Sequence, residues 1–205
     1  MGDTKERILL TALSLFAQRG YQAVSVSDIA SELGVTKGAL YRHYESKRAV
    51  FESILARMER RDAEQAVDHR LPETPAAESA EAYRNVSPDD VTDFAKTMFR
   101  YWTQDAFACR FRRMLTLEQY RSPEMGRLYQ QYLAAGPLEY MAELFAGAGL
   151  SRPREEAAAF YAPLFLLYSV YDASEDKQAV LALADRMLED ARIHLKKEMR
   201  RDNGQ

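Results

Sequence analysis

An all-α fold is predicted for this 205-residue chain by two observations. Apolar residues recur at three- and four-residue spacing over most of its length, and capping residues such as Ser25, Thr36, Ser46 and Ser87 stand where those stripes begin. The expected architecture is a three-helix head with a helix-turn-helix, joined by a long fourth helix to a larger helical body.

Helix one is expected over Thr4 to Arg19, with Ile8, Ala12, Leu15 and Phe16 on one stripe and Gly20 as its stop. Ser25 and Asp28 form a capping-box pattern that opens helix two, in which Ile29, Ala30 and Leu33 keep helical spacing until Gly34. Thr36 caps a third helix whose Leu40 and Tyr44 share the face to be buried. Ser46 then caps a fourth, carrying Val50, Phe51, Ile54, Leu55 and Met58, whose apolar stripe fades between Glu59 and Arg70. Leu71 to Asp90, with Pro72, Pro75 and Pro88, reads as a loop and domain boundary.

Beyond it, Ser87, Pro88 and Asp90 signal a fresh start for a helix bearing Val91, Phe94, Ala95, Met98 and Trp102. A helix from Phe107 to about Tyr120 follows, and Ser122 and Pro123 open another that Gly136 and Pro137 kink or split. Arg154 to Tyr171 contains YAPLFLLYSVY, apolar on every side, so burial on every side is expected. Pro163 should bend that helix. The last helix, Lys177 to about Arg201, sets Val180, Leu181, Ala184, Met187, Leu188, Ala191 and Leu195 on one broad face. Two such helices carry more apolar surface than one small bundle covers, so a second subunit is the expected cover.

At about 100° per residue, Gly38 and Arg42 point away from Leu40 and Tyr44, flanked by Ala39 and Tyr41. That outer face is small, basic and aromatic. Arginine offers a bidentate fork to guanine, small residues allow close approach, and tyrosine supplies a hydroxyl for phosphate or a ring for a thymine methyl. Lys37 and Lys47 lie in first helical turns, where the dipole disfavours a cation by roughly 0.3 to 1 kcal/mol and an approaching phosphate would reverse the penalty. The pattern suits a helix-turn-helix in a major groove.

The run from Ile8 through Phe16 and Gly20 to Ser25, followed by DIA, LGV, TKGALYRHY and SKRAVF, resembles the N-terminal domain of the TetR/AcrR family of transcriptional regulators. The resemblance covers about the first sixty residues. It implies a DNA-binding domain over residues 1–48 and a ligand-binding and dimerisation domain over 49–205, with Ser25, Thr36, Lys37, Gly38, Ala39, Tyr41, Arg42, His43 and Lys47 as the DNA-binding residues. His43 stands where the family pattern places a phosphate contact. The implied function is operator-specific regulation, most often repression, relieved by a small molecule; the partners are then a pseudo-palindromic duplex, an effector and a second copy. The competing reading is a dimeric ligand-binding or scaffold protein whose helix-turn-helix is only structural.

For the pocket, tyrosines and tryptophan among methionines favour a binding cavity, because their polar tips need partners. Phe94, Met98, Trp102, Phe107, Phe111, Met114, Tyr129, Tyr132 and Tyr168 are the candidates, with plain core as the alternative for each. The candidate dimer interface is Tyr161, Phe165, Leu181, Ala184, Leu188 and Ala191.

A net charge of -3 hides an asymmetry: residues 1–61 hold ten Lys and Arg against seven Asp and Glu, leaving eighteen against twenty-four for the remainder. Only the first part suits a polyanion. One cysteine, Cys109, excludes an internal disulfide and a multi-cysteine metal site, and His43, His69 and His194 show no ligand spacing, so no metal, cofactor or catalytic constellation is expected. MGDTKERILL lacks the pattern of a secretory signal, and the longest apolar run, Ala157 to Tyr168, is too short for a bilayer. A cytoplasmic location with no membrane partner is the expectation.

Overall fold

The computed structural model describes residues 2–67 and 86–202, and every regular element among them is a helix. Residues 68–85, which hold most of the expected proline-rich loop, the end of the fading fourth helix and His69, lie outside the described residues. The helices form two compact units, Met1–Gln65 with Asp105–Tyr129, and Ala66–Gln104 with Gln130–Gln205. Packing thus draws 49–65 and Asp105–Tyr129 together with the expected head in the first unit.

That unit holds α1 (Gly2–Arg19), α2 (Val26–Leu33), α3 (Lys37–Tyr41), most of α4 (Lys47–Val67), α6 (Ala106–Glu118) and the start of α7 (Pro123–Leu133). The periodic residues close one core: Ile8, Phe16, Ile29, Leu40, Phe51, Ile54 and Met58 are buried, joined from α6 by Phe111, Met114 and Leu115. α6 packs along α1. Its N-cap is Asp105, unforeseen in sequence, whose Oδ1 accepts from the amides of Phe107 and Ala108 at 2.9 Å and from Arg61 at 2.7 Å. Gly20, at φ +86°, ends α1, and a side chain there would meet the carboxylate of Glu118, so both conformation and space demand glycine.

The second unit holds α5 (Pro88–Gln104), α8 (Ala135–Gly147), α9 (Pro153–Ala173) and α10 (Lys177–Asp202). The Ser87 cap accepts the Asp90 amide at 3.1 Å, and the Gly136-Pro137 region divides two helices, with Ala134 between α7 and α8. α9 packs on α8, α10 and α5, and α10 lies along α5. Phe99 stacks on Tyr168 at 5.3 Å, and Phe145 meets Phe160 edge-on at 5.8 Å.

Within its own unit α9 is buried on one side only: Leu164, Leu167 and Tyr168 are inside, but Phe165, Leu166 and Val170 are 39%, 64% and 40% exposed, because α8, α10 and α5 leave bare the face for which a second subunit is the expected cover. Leu181, Ala184 and Leu188, expected at a dimer interface, are at most 6% exposed and belong to the unit's own core. The large apolar residues of α10 that are exposed, among the described residues, are Leu183 and Ile193. Tyr161 and Ala191 are half-buried, and the Tyr161 hydroxyl donates to the Leu133 carbonyl at 2.9 Å.

Candidate nucleic-acid interface

The reading helix is built from short-range signals. Ser25 Oγ accepts from the Asp28 amide at 3.1 Å while Asp28 Oδ2 accepts from the Ser25 amide at 2.7 Å, a closed capping box. The Ser25 hydroxyl and amide hold the Asp28 carboxyl below the usual carboxylate range, with Arg19 adding to the effect. Gly34 then takes φ +70°, and Val35 donates to the Ala30 carbonyl at 3.0 Å, closing α2 as the glycine requires. Thr36 Oγ1 accepts from Ala39 at 3.1 Å and starts α3. Leu40 and Tyr44 are buried as their spacing demands, and Arg42 caps α3 in right-handed conformation.

The opposite face is open to solvent. Lys37, Gly38, Tyr41 and Arg42 are exposed, Ala39 and His43 half-buried, and Lys37 Nζ lies 5.8 Å from the centre of the Tyr41 ring. The charges of the unit separate into two groups. Arg19 pairs with Asp28 at 3.4 Å, Arg48 with Glu124 at 2.6 Å and Glu52 at 2.8 Å, Arg57 with Glu6, Arg61 with Asp105 and Arg121 with Glu118 at 3.1 Å. Neither Lys37 nor Arg42 has a carboxylate partner among the described residues, so their charge is available to a polyanion.

Lys47, expected as a phosphate contact, has its ammonium engaged within the head. Its ammonium donates to the carbonyls of Tyr21 and Val24, each at 2.8 Å, and to Gln22 at 3.4 Å, and it lies 4.3 Å from the Tyr21 ring centre. Burial pushes its pKa below the ordinary lysine value, opposed by the charges of Glu118 and Asp28. The side chain is a staple between the start of α4 and the turn before α2. Ser25 is likewise committed to its cap, whereas Thr36 keeps its hydroxyl proton to donate.

The nine aromatic and methionine candidates do not gather in one unit. Phe107, Phe111, Met114 and Tyr129 fall in the first, where the first three are core and Arg57 lies over the Phe107 ring at 4.8 Å. Phe94, Met98, Trp102, Tyr132 and Tyr168 fall in the second, with Trp102 and Tyr132 in edge contact at 6.3 Å and Phe94 against Tyr140 at 5.8 Å. Glu118 is wholly buried in the first unit, and its Oε2 has no hydrogen-bond partner among the described residues. Cys109 is a buried free thiol. His194 approaches Glu156 at 2.8 Å.

The fold and the exposed basic face are those of a helix-turn-helix head. Residues 8–54 match the family described as bacterial regulatory proteins, tetR family. Over 55 residues the chain is 44% identical to the transcriptional repressor BepR of Brucella suis, and over 52 residues 42% identical to the regulator AcrR of Shigella flexneri. These matches take in 27% and 25% of this chain and 26% and 24% of those relatives; a 48% match over 50 residues to the Bacillus subtilis regulator YerO spans 17% of that protein. The likeness to curated relatives is therefore confined to about a quarter of their length or less. Among solved structures, a TetR/AcrR-type regulator of Aquifex aeolicus superposes with a TM-score of 0.63 at 17% identity, covering 91% of this chain and 98% of that one. FadR of Bacillus halodurans gives 0.61 at 17% identity, over 94% and 96%. At such identities the structures speak to fold alone. The family match is thus a property of residues 8–54, the head, and the description of that family is one of regulatory proteins.

Replacing Lys47 by Met keeps the apolar stem but leaves the Tyr21 and Val24 carbonyls without their donor. A loss of about 2 kcal/mol in unfolding free energy is expected, the scale of hydrogen bonds to a charged group. Urea denaturation measures it, and a variant as stable as the natural protein contradicts the staple.

Proposed function

We propose that this chain is a homodimeric, operator-specific DNA-binding repressor that a small molecule releases. The observation that carries the reading is the exposed face of α3, where Lys37, Tyr41 and Arg42 stand around Gly38 with no carboxylate to neutralise the cations. Arg42 reads base edges in the major groove, while Tyr41, Thr36 and His43 position the helix on phosphates. The naming of BepR as a repressor supports the sign of regulation.

Selecting bound duplexes from a random-sequence pool tests the first part. A pseudo-palindrome should be enriched, and Arg42→Ala should lose about 1 to 3 kcal/mol of binding and relax preference at its contacted base. Recovery of unrelated sequences would instead favour a helix-turn-helix that is only structural.

The dimer rests on the bare face of the second unit. Phe165, Leu166 and Val170 on α9, with Leu183 and Ile193 on α10, leave apolar surface that a two-fold partner would cover, setting two reading helices about 34 Å apart. Leu166→Glu should yield a folded monomer by light scattering and circular dichroism, whereas Leu188→Glu, a charge in the core, should unfold the chain. A wild-type protein monomeric at micromolar concentration refutes the dimer.

For release, the effector must bind the DNA-incompetent arrangement better than the competent one, with a coupling of about 1 to 3 kcal/mol. The aromatic residues of the second unit, Trp102, Tyr132 and Tyr168, are the proposed site. Trp102 is the sole tryptophan, so its fluorescence should change on binding. A compound that displaces the operator while leaving that signal unchanged, and that Trp102→Ala binds equally well, puts the site elsewhere.

A further inference from the structure

Lys5 sits in the first turn of α1, outside the residues that match the family. It is exposed, and no carboxylate among the described residues pairs with it; the adjacent Glu6 accepts from Arg57 instead. A cation in the first turn of a helix opposes the dipole, so α1 itself gains nothing from this charge. Its position is nevertheless fixed, since Lys5 Nζ lies 5.1 Å from the centre of the Tyr44 ring. Tyr44 is itself buried under the reading helix. The ammonium is thus held by the residue that anchors α3.

Lys5 shares an open groove of about 560 Å³ with Tyr41, Arg42 and His43, the residues that end the reading helix, and with Glu45 and Glu52. Two acids, Glu45 and Glu52, face Lys5 and Arg42 across it, and Glu52 accepts from Arg48 at 2.8 Å, an arginine that also clasps Glu124. The scale of the groove suits a phosphodiester, and its two cations come from elements far apart in sequence.

We propose that Lys5 is a DNA-phosphate contact, and that with Arg42 and His43 it forms a seat for the duplex backbone at the end of the reading helix. The footprint of the protein then extends past the helix-turn-helix on to α1. This rests on the DNA-binding reading of the α3 face and adds to it a residue that the motif does not contain. Glu45 opposes the phosphate and limits affinity at this seat.

The test is the salt dependence of binding, read by fluorescence anisotropy on the selected operator and on a random-sequence 30-base-pair duplex. Lys5→Ala should weaken both duplexes by the same factor and reduce the slope of log K against log salt by about one, the loss of one phosphate contact. Lys5→Arg should restore the slope, and Glu45→Gln should strengthen both duplexes alike. Thermal unfolding separates these effects from damage to α1, because Lys5→Arg and Glu45→Gln leave the packing unchanged. An unaltered slope in Lys5→Ala, or a loss confined to the operator, overturns the phosphate seat while Arg42→Ala still reports on the reading helix. A natural protein that binds neither duplex overturns both readings.

Discussion

The ammonium of Lys47 is the interaction on which the reading head depends. α2 has eight residues and α3 has five, lengths at which an isolated helix does not persist in water, so their orientation must come from contacts outside themselves. Burying Ile29, Leu40 and Tyr44 supplies the free energy but leaves the turn between α1 and α2 with carbonyls that no helix satisfies. Lys47 supplies that turn with donors, and it comes from the first turn of α4. The start of α4 and the entry to α2 are consequently one mechanical element. Glu118 stands behind it, buried against Gly20 and lending its charge to Lys47, while Gln22 donates to the Arg121 carbonyl at 3.4 Å.

This arrangement gives the cations of the first unit two separate tasks. Those paired with carboxylates hold elements together: Arg48 clasps Glu124 with both terminal nitrogens, at 2.6 and 2.7 Å, and ties α4 to the first turn of α7. That contact lowers the Glu124 pKa and raises that of Arg48, so both stay charged over the physiological range. Lys37 and Arg42, on α3 and at its cap, are among those with no carboxylate partner among the described residues, and at Lys37 pairing with an acid would relieve the dipole penalty.

Where a signal was local, it was legible in the sequence. Ser25, Gly34, Thr36, Ser46 and Ser87 act on amides within three or four residues, so the residue type and its offset identify the cap. Gly20 was legible as a stop but not as a close approach, because Glu118 is almost a hundred residues away. The partners of Lys47 were hidden for the same reason: a lysine in a first helical turn suggests a phosphate contact, and the carbonyls around it lie 23 to 26 residues upstream. Asp105 lies between two expected helices, where no apolar stripe marks the residue that caps the second. The aromatic set could not be divided between units by composition, since Phe111 and Trp102 share chemistry and differ only in which helices they meet.

The apolar helices at the end of the chain illustrate how far periodicity carries. An amphipathic pattern identifies a buried stripe, but a helix apolar all round gives no clue to which side the chain itself will cover. In α9 the covered side is Leu164, Leu167 and Tyr168, set by packing on α8, α10 and α5. Leu188 and Leu166 could both have been interface residues by hydrophobicity alone. Their burial separates them, because a side chain already surrounded by its own unit has little surface left for a partner, whereas one 64% exposed retains most of the area whose removal from water would drive association. A surface of that kind is held in place by the core beneath it, so substitutions at Leu164 or Leu188 would alter association indirectly, through the shape of the helix pair, and those at Leu166 directly. The distinction lies in tertiary packing, which is why residue type and spacing could nominate the two helices and could not choose their outer face.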